Sequence, residues 1–96
     1  MENIGFITVP SKWADITTLG LTLDSSTTYQ IECRGQGYTL LQVASSLPAD
    51  NDCSGIRLDP SSFKVAIYKA ESGKNLYVKL YRSSLPAQLN IATVEE

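Results

Sequence analysis

The sequence predicts an all-β fold: a single-domain antiparallel β-sandwich or β-barrel, jelly-roll-like, of about seven or eight short strands. Three observations predict it. Apolar and polar residues alternate with a period of two through several segments. Clusters of Gly, Pro, Asp and Ser interrupt those segments roughly every 10–13 residues. No stretch carries a sustained apolar repeat at helical spacing. At 96 residues, 43% apolar and 19% charged, the chain has the size and composition of one globular domain with one modest core.

The elements follow in order. Ile4 to Val9 is short and apolar. It either completes the sheet within the chain or extends as an arm onto a neighbouring subunit, so residues 1–10 are set apart from a sandwich domain over residues 11–96. Pro10 to Asp15 reads as a loop or turn. Its Trp13, the only tryptophan, is expected to plug one end of the sandwich with its indole N–H hydrogen-bonded. A strand is expected within 16–23, because Ile16, Thr17 and Thr18 disfavour a helix longer than one turn. Asp24-Ser25-Ser26 then leads into a strand in which Tyr29, Ile31 and Cys33 alternate with Gln30, Glu32 and Arg34. Gly35 and Gly37 read as hairpin glycines before Tyr38–Val43. Without a third glycine or a following helix they are not a phosphate cradle.

Residues 45–55, SSLPADNDCSG, form a long polar loop. Its Asp50-Asn51-Asp52 reads as a solvated turn, since no calcium-loop spacing follows. Phe63, Val65 and Ile67 alternate with Lys64, Ala66 and Tyr68; Leu76, Val78 and Leu80 alternate with Tyr77, Lys79 and Tyr81; Leu89 and Ile91 alternate with Asn90 and Ala92. The first set of each is expected to be buried and the second to face solvent or a partner.

Composition removes several chemistries. With no histidine, Ser-His-Asp and Cys-His nucleophiles and imidazole metal sites are excluded. Cys33 and Cys53 lie twenty residues apart with no CxxC, matching no zinc or redox pattern. Cys33 is expected buried in a strand and Cys53 exposed in the loop, both as thiols in a reducing cytosol. No carboxylate pair stands out for acid–base work, so the expectation is a non-enzyme with no catalytic residues, no metal and no cofactor. A net charge of -2 argues against a dedicated nucleic-acid binder. MENIGFITVP lacks the basic and apolar stretches of a signal peptide, and no apolar run is long enough to span a membrane.

Charge is uneven along the chain. Arg57 to Arg82 holds six basic residues against two acidic, a balance of +4, while residues 1–56 carry -4. Tyr68, Tyr77, Lys79, Tyr81 and Arg82 are the expected contact face, because Tyr beside basic side chains suits a protein interface. Ile4, Phe6 and Ile7 are the expected contacts of the arm.

The order of short motifs carries a resemblance. The first half supplies Trp13, Asp15-Ile16, Leu21-x-Leu23 and Tyr29-x-Ile31. The second supplies Gly55-x-x-Leu58-x-Pro60, Tyr68-Lys69-Ala70-x-Ser72-Gly73-x-x-Leu76-Tyr77-Val78 and Ala87-x-Leu89-Asn90-Ile91-Ala92-x-Val94-Glu95. From about residue 13 to 95, this order resembles the small β-rich virion proteins of tailed bacteriophages. The resemblance implies a structural role, first as a capsid decoration (cement) protein on the major capsid shell. The other roles it implies are head–tail connector, tail or fibre component, or a glycan- or receptor-binding β-module. It implies a homo-oligomer, a trimer for decoration, placed in the virion after assembly in the host cytoplasm. It transfers no catalytic residue.

Overall fold

The computed structural model describes residues 2–59, 65–81 and 86–94. Its strands are β1 (Glu2–Thr8), β2 (Ala14–Asp15), β3 (Thr28–Gly35), β4 (Tyr38–Ala44), β5 (Ile56–Leu58), β6 (Val65–Lys69), β7 (Asn75–Tyr81) and β8 (Ala87–Thr93). They form two antiparallel four-stranded sheets, β1-β8-β3-β6 and β2-β7-β4-β5. This is the jelly-roll order. The pairs β1/β8, β2/β7, β3/β6 and β4/β5 are one long antiparallel ribbon, rolled so that successive pairs fall in alternate sheets.

The core lies between the sheets. Tyr29, Ile31 and Cys33 of β3 and Leu89 and Ile91 of β8 face Leu41 of β4 and Leu76 and Val78 of β7, with Ile7, Val9, Ile16 and Leu58 closing the ends. The expected alternation is observed in β3, whereas Tyr77 in β7 and Ala92 in β8 are buried although their sets are expected to face solvent or a partner. Cys33 is buried and Cys53 exposed, both as free thiols. Burial pushes the Cys33 thiol above the ordinary thiol range, against a smaller opposing effect of its hydrogen bond with Thr39.

Three further expectations are corrected. Residues 16–19 are a single 3₁₀ turn rather than strand. Asp15 caps it by accepting a hydrogen bond from Thr17 N at 3.0 Å, and Gly20, at φ 102°, ends it in a conformation that favours glycine. Gly35 and Gly37 do not make a hairpin, because β3 and β4 belong to different sheets. The connection crosses the end of the sandwich and is fixed by Gln36 and Gly37 amides donating to Pro86 O at 3.1 and 2.9 Å.

Strand β6 is inverted. Its register on β3 sets Tyr68 opposite Tyr29 and Ala66 opposite Ile31, which turns Ala66 and Tyr68 inward and Val65 and Ile67 outward. Phe63 and Lys64 of that expected alternation lie outside the described residues. The N-terminal segment takes the first of its two expected destinations, as a strand of the chain's own sheet. β1 pairs with β8 from Glu2↔Thr93 to Thr8↔Gln88.

The second sheet is covered on both faces. On its outer face Trp13, Leu40 and Tyr77 form a smaller cluster, with Ala44 and Tyr81 against it. The 45–55 loop lies over that cluster. Trp13 Nε1 donates to Asp52 O at 2.8 Å, and Lys79 Nζ donates to Asp50 O at 2.5 Å. Trp13 is thus buried and hydrogen-bonded as expected, but against the outside of the sheet rather than in the end of the sandwich. Two-sided cover is why Leu40 and Leu41, and Leu76 through Val78, are buried consecutively. The loop returns to β5 through Gly55 at φ 125°, where a Cβ would run into the Leu41 carbonyl oxygen.

Candidate protein-interaction surface

The structure divides the residues that the sequence suggested for contact. Tyr68 sits in the first sheet and faces inward, whereas Tyr77, Lys79 and Tyr81 sit in the second and face outward. They share no face, because the turn from β6 to β7 crosses between sheets. Tyr68 lines a polar hollow of about 280 Å³ at the end of the sandwich, together with Asp15, Asp24, Glu71 and Lys74. Burial raises its phenol above the ordinary range, more than the Glu71 backbone hydrogen bond lowers it. Tyr77 is 5% exposed under the 45–55 loop and offers nothing to a partner. Lys79 is half-buried and holds that loop, with its ammonium 5.9 Å from the Trp13 ring centre. Arg82 lies outside the described residues.

The proposed arm contacts separate as well. Ile7 is buried in the core, and Ile4 is half-buried against it. Ile7 is therefore spent on this chain's own core, and Ile4 is only partly so. Phe6 points the other way and is 50% exposed at the β1 edge of the first sheet.

Tyr81 remains, and the fold gives it two neighbours. Tyr38 of β4 is its direct cross-strand partner. Arg57 of β5, opposite Leu40, lays its guanidinium 5.6 Å from the Tyr38 ring centre and 5.8 Å from that of Tyr81. Tyr38 and Arg57 are exposed. Two phenols and a guanidinium grouped on rigid strands present apolar area and donors with little rotamer freedom to lose, the residue types that dominate interface energetics. Sequence reasoning passed over Tyr38 and Arg57 because only the β4–β5 and β4–β7 registers bring them together.

A second feature runs along the seam between edge strands β5 and β6. There the sheets part over a mostly apolar cleft of about 320 Å³, floored by Ile31, Leu41 and Leu76 and rimmed by Val43, Ile56 and Ile67. Ile56 and Ile67 are each 60% exposed. The only signal for it in the sequence is that β6 carries apolar residues on both faces.

Among the described residues, no group of three or more Cys, Asp or Glu is placed to hold a metal ion. Asp52 instead accepts hydrogen bonds from Ser54 N and Oγ, which hold its carboxyl below the usual range. No helix among the described residues is long and apolar enough to cross a membrane. The fold and its surfaces define an eight-stranded jelly-roll sandwich with a cation–tyrosine platform and one apolar seam. Comparison with family models, with curated proteins and with solved structures finds no match in any of the three.

Proposed function

We propose that the chain is a non-enzymatic virion structural protein of a tailed bacteriophage, a decoration protein that binds the outside of the major capsid shell and stabilises it. The observation that carries this reading is the Tyr38–Arg57–Tyr81 platform on the outer face of the second sheet, beside the part of that face covered by Trp13 and the 45–55 loop. A contact surface that must grip a shell gains from backbone that does not have to be ordered on binding. The jelly-roll order supports the reading in kind, since viral capsid domains use this architecture; lectin domains use it too, so the fold alone does not decide. The resemblance of its motif order to that of small phage virion proteins supplies the rest.

Mixing the purified protein with capsid shells that lack it tests the proposal. Co-sedimentation with the shells is expected, together with at least tenfold weaker binding of the Arg57→Ala variant. Failure of the wild-type protein to sediment with shells, at concentrations where it stays folded, would overturn the reading.

A further inference from the structure

We propose that the open edge of β6 pairs with β6 of a second copy of this chain, antiparallel and centred on Ile67, joining the two first sheets into one. The backbone fixes which groups of β6 are open to a partner. Ala70 N donates to Thr27 O at 3.0 Å and Ala70 O accepts from Ser26 N at 2.7 Å, so the polar groups of residue 70 point towards the β3 side. In an antiparallel ladder this direction alternates along the strand. Ala66 and Tyr68 therefore bond to β3, and the N–H and C=O groups of Val65, Ile67 and Lys69 point to the open edge. Among the described residues, β6 is the terminal strand of its sheet.

One register satisfies all of those groups. With Ile67 opposite Ile67 of the second copy, Val65 falls opposite Lys69 and Lys69 opposite Val65. Each of these pairs is a hydrogen-bonded one, giving six N–H···O bonds across the contact. A shift by one residue would set outward-pointing groups against inward-pointing ones and lose them all.

The side chains agree with this register. Ile67 and Val65 project from the outer face, the side on which edge strands usually carry protecting charge. Pairing places the two Ile67 side chains together. The two Lys69 ammonium groups are kept at opposite ends of the contact rather than facing each other. Each Lys69 stands beside Val65 of the other chain, and Val65 stands beside Glu32 on β3. The separation is two strand spacings, about 10 Å at the backbone, within reach of a lysine and a glutamate side chain. Glu32 already holds Arg34 in an ion pair at 2.6 Å, so each Lys69 would join an existing ion pair on its side of the axis.

The axis stands perpendicular to the sheet, which brings both β5 edges round to the same side. The two apolar clefts then open towards each other, and the exposed Ile56 of each faces the other copy. The same contact thus accounts for both the apolar outer face of β6 and the unfilled seam beside it. It is a closed two-fold contact, so it predicts dimers or even-numbered assemblies and departs from the trimer that the phage resemblance implies. It does not depend on capsid binding.

Sedimentation equilibrium of the full chain tests the association. A mass twice the 10.5 kDa of the chain is expected. Ile67→Asp, at a 60% exposed position, is expected to weaken dimerisation at least tenfold while leaving the circular-dichroism spectrum unchanged. Cysteine crosslinking tests the register in a Cys53→Ser background. Residues 67 of the two chains would lie about 5.5 Å apart at Cα, inside disulfide range. Ile67→Cys should therefore crosslink to itself on mild oxidation. Val65→Cys should crosslink to Lys69→Cys when the two variants are mixed, and neither of these should crosslink alone. A monomer up to about 1 mM chain would overturn the proposal. So would a trimer, a dimer indifferent to Ile67→Asp, crosslinks that break this pattern, or pairing that forms only with a capsid shell protein.

Discussion

Trp13 shows how local chemistry ties the sandwich to its loop. Trp13 is buried against Leu40 and Tyr77, and its indole N–H is satisfied by a loop carbonyl thirty-nine residues away. Trp13→Phe keeps most of the packing and removes the donor. It is expected to destabilise the fold by about 1–2 kcal/mol in thermal or urea unfolding, and to leave the 45–55 loop more open. The two thiols offer an internal comparison. Exposed Cys53 should react with a thiol reagent in the native protein, whereas Cys33 should react only on unfolding. The pH dependence follows from burial of Cys33. Its folded-state value is raised, so the protein retains the proton that the unfolded chain releases. The stability contributed by the neutral thiol is complete below the unfolded value and is lost as pH rises through the folded one. Alkaline titration of stability should show this loss in the wild type, and Cys33→Ala should remove that component of the slope.

Among the elements, β1 and β6 are the instructive ones. β1 reads as an apolar segment with no fixed destination, and its pairing on β8 makes Ile7 and Val9 part of the core. Ile7→Ala is expected to cost about 2–4 kcal/mol, measured by denaturant unfolding, whereas the neighbouring Phe6→Ser should cost no more than about 0.5 kcal/mol. Removing residues 2–9 should therefore impair folding itself, not assembly alone. β3, β7 and β8 were legible in the sequence because each sets large apolar residues against polar ones, leaving a single way to face the core. β6 was not. Val65 and Ile67 compete with Ala66 and Tyr68, both sets are apolar, and only the partner strand decides which turns inward. The 3₁₀ turn at 16–19 was missed because Ile16, Thr17 and Thr18 favour strand locally, while the Asp15 cap and Gly20 end the turn within four residues.

At the level of the molecule, alternation identifies strands but does not say which sheet each joins. The connection Gly35 to Gly37 looks like a hairpin in sequence and is a crossing in the fold, and the turn Glu71 to Lys74 is a second crossing. This is why a tyrosine–lysine face expected across β6 and β7 is divided between two sheets. It is also why the platform that does form draws Tyr38 and Arg57 from strands that the sequence did not connect to Tyr81. Gly55 belongs to this scale, since it lets the long loop pass Leu41 and re-enter the sheet. Gly55→Ala should lower the melting temperature by several degrees, corresponding to roughly 1–3 kcal/mol, and loosen the loop over Trp13.

The functional account holds that this sandwich works as a rigid surface gripped by a capsid shell. It is tested by the unfolding temperature of shells lacking the protein, recorded by calorimetry with and without saturating wild-type chain. The account predicts a clear rise with the wild type that is largely lost with Tyr38→Ala/Arg57→Ala. An unchanged shell transition, with the added protein melting separately at its own temperature, would contradict it.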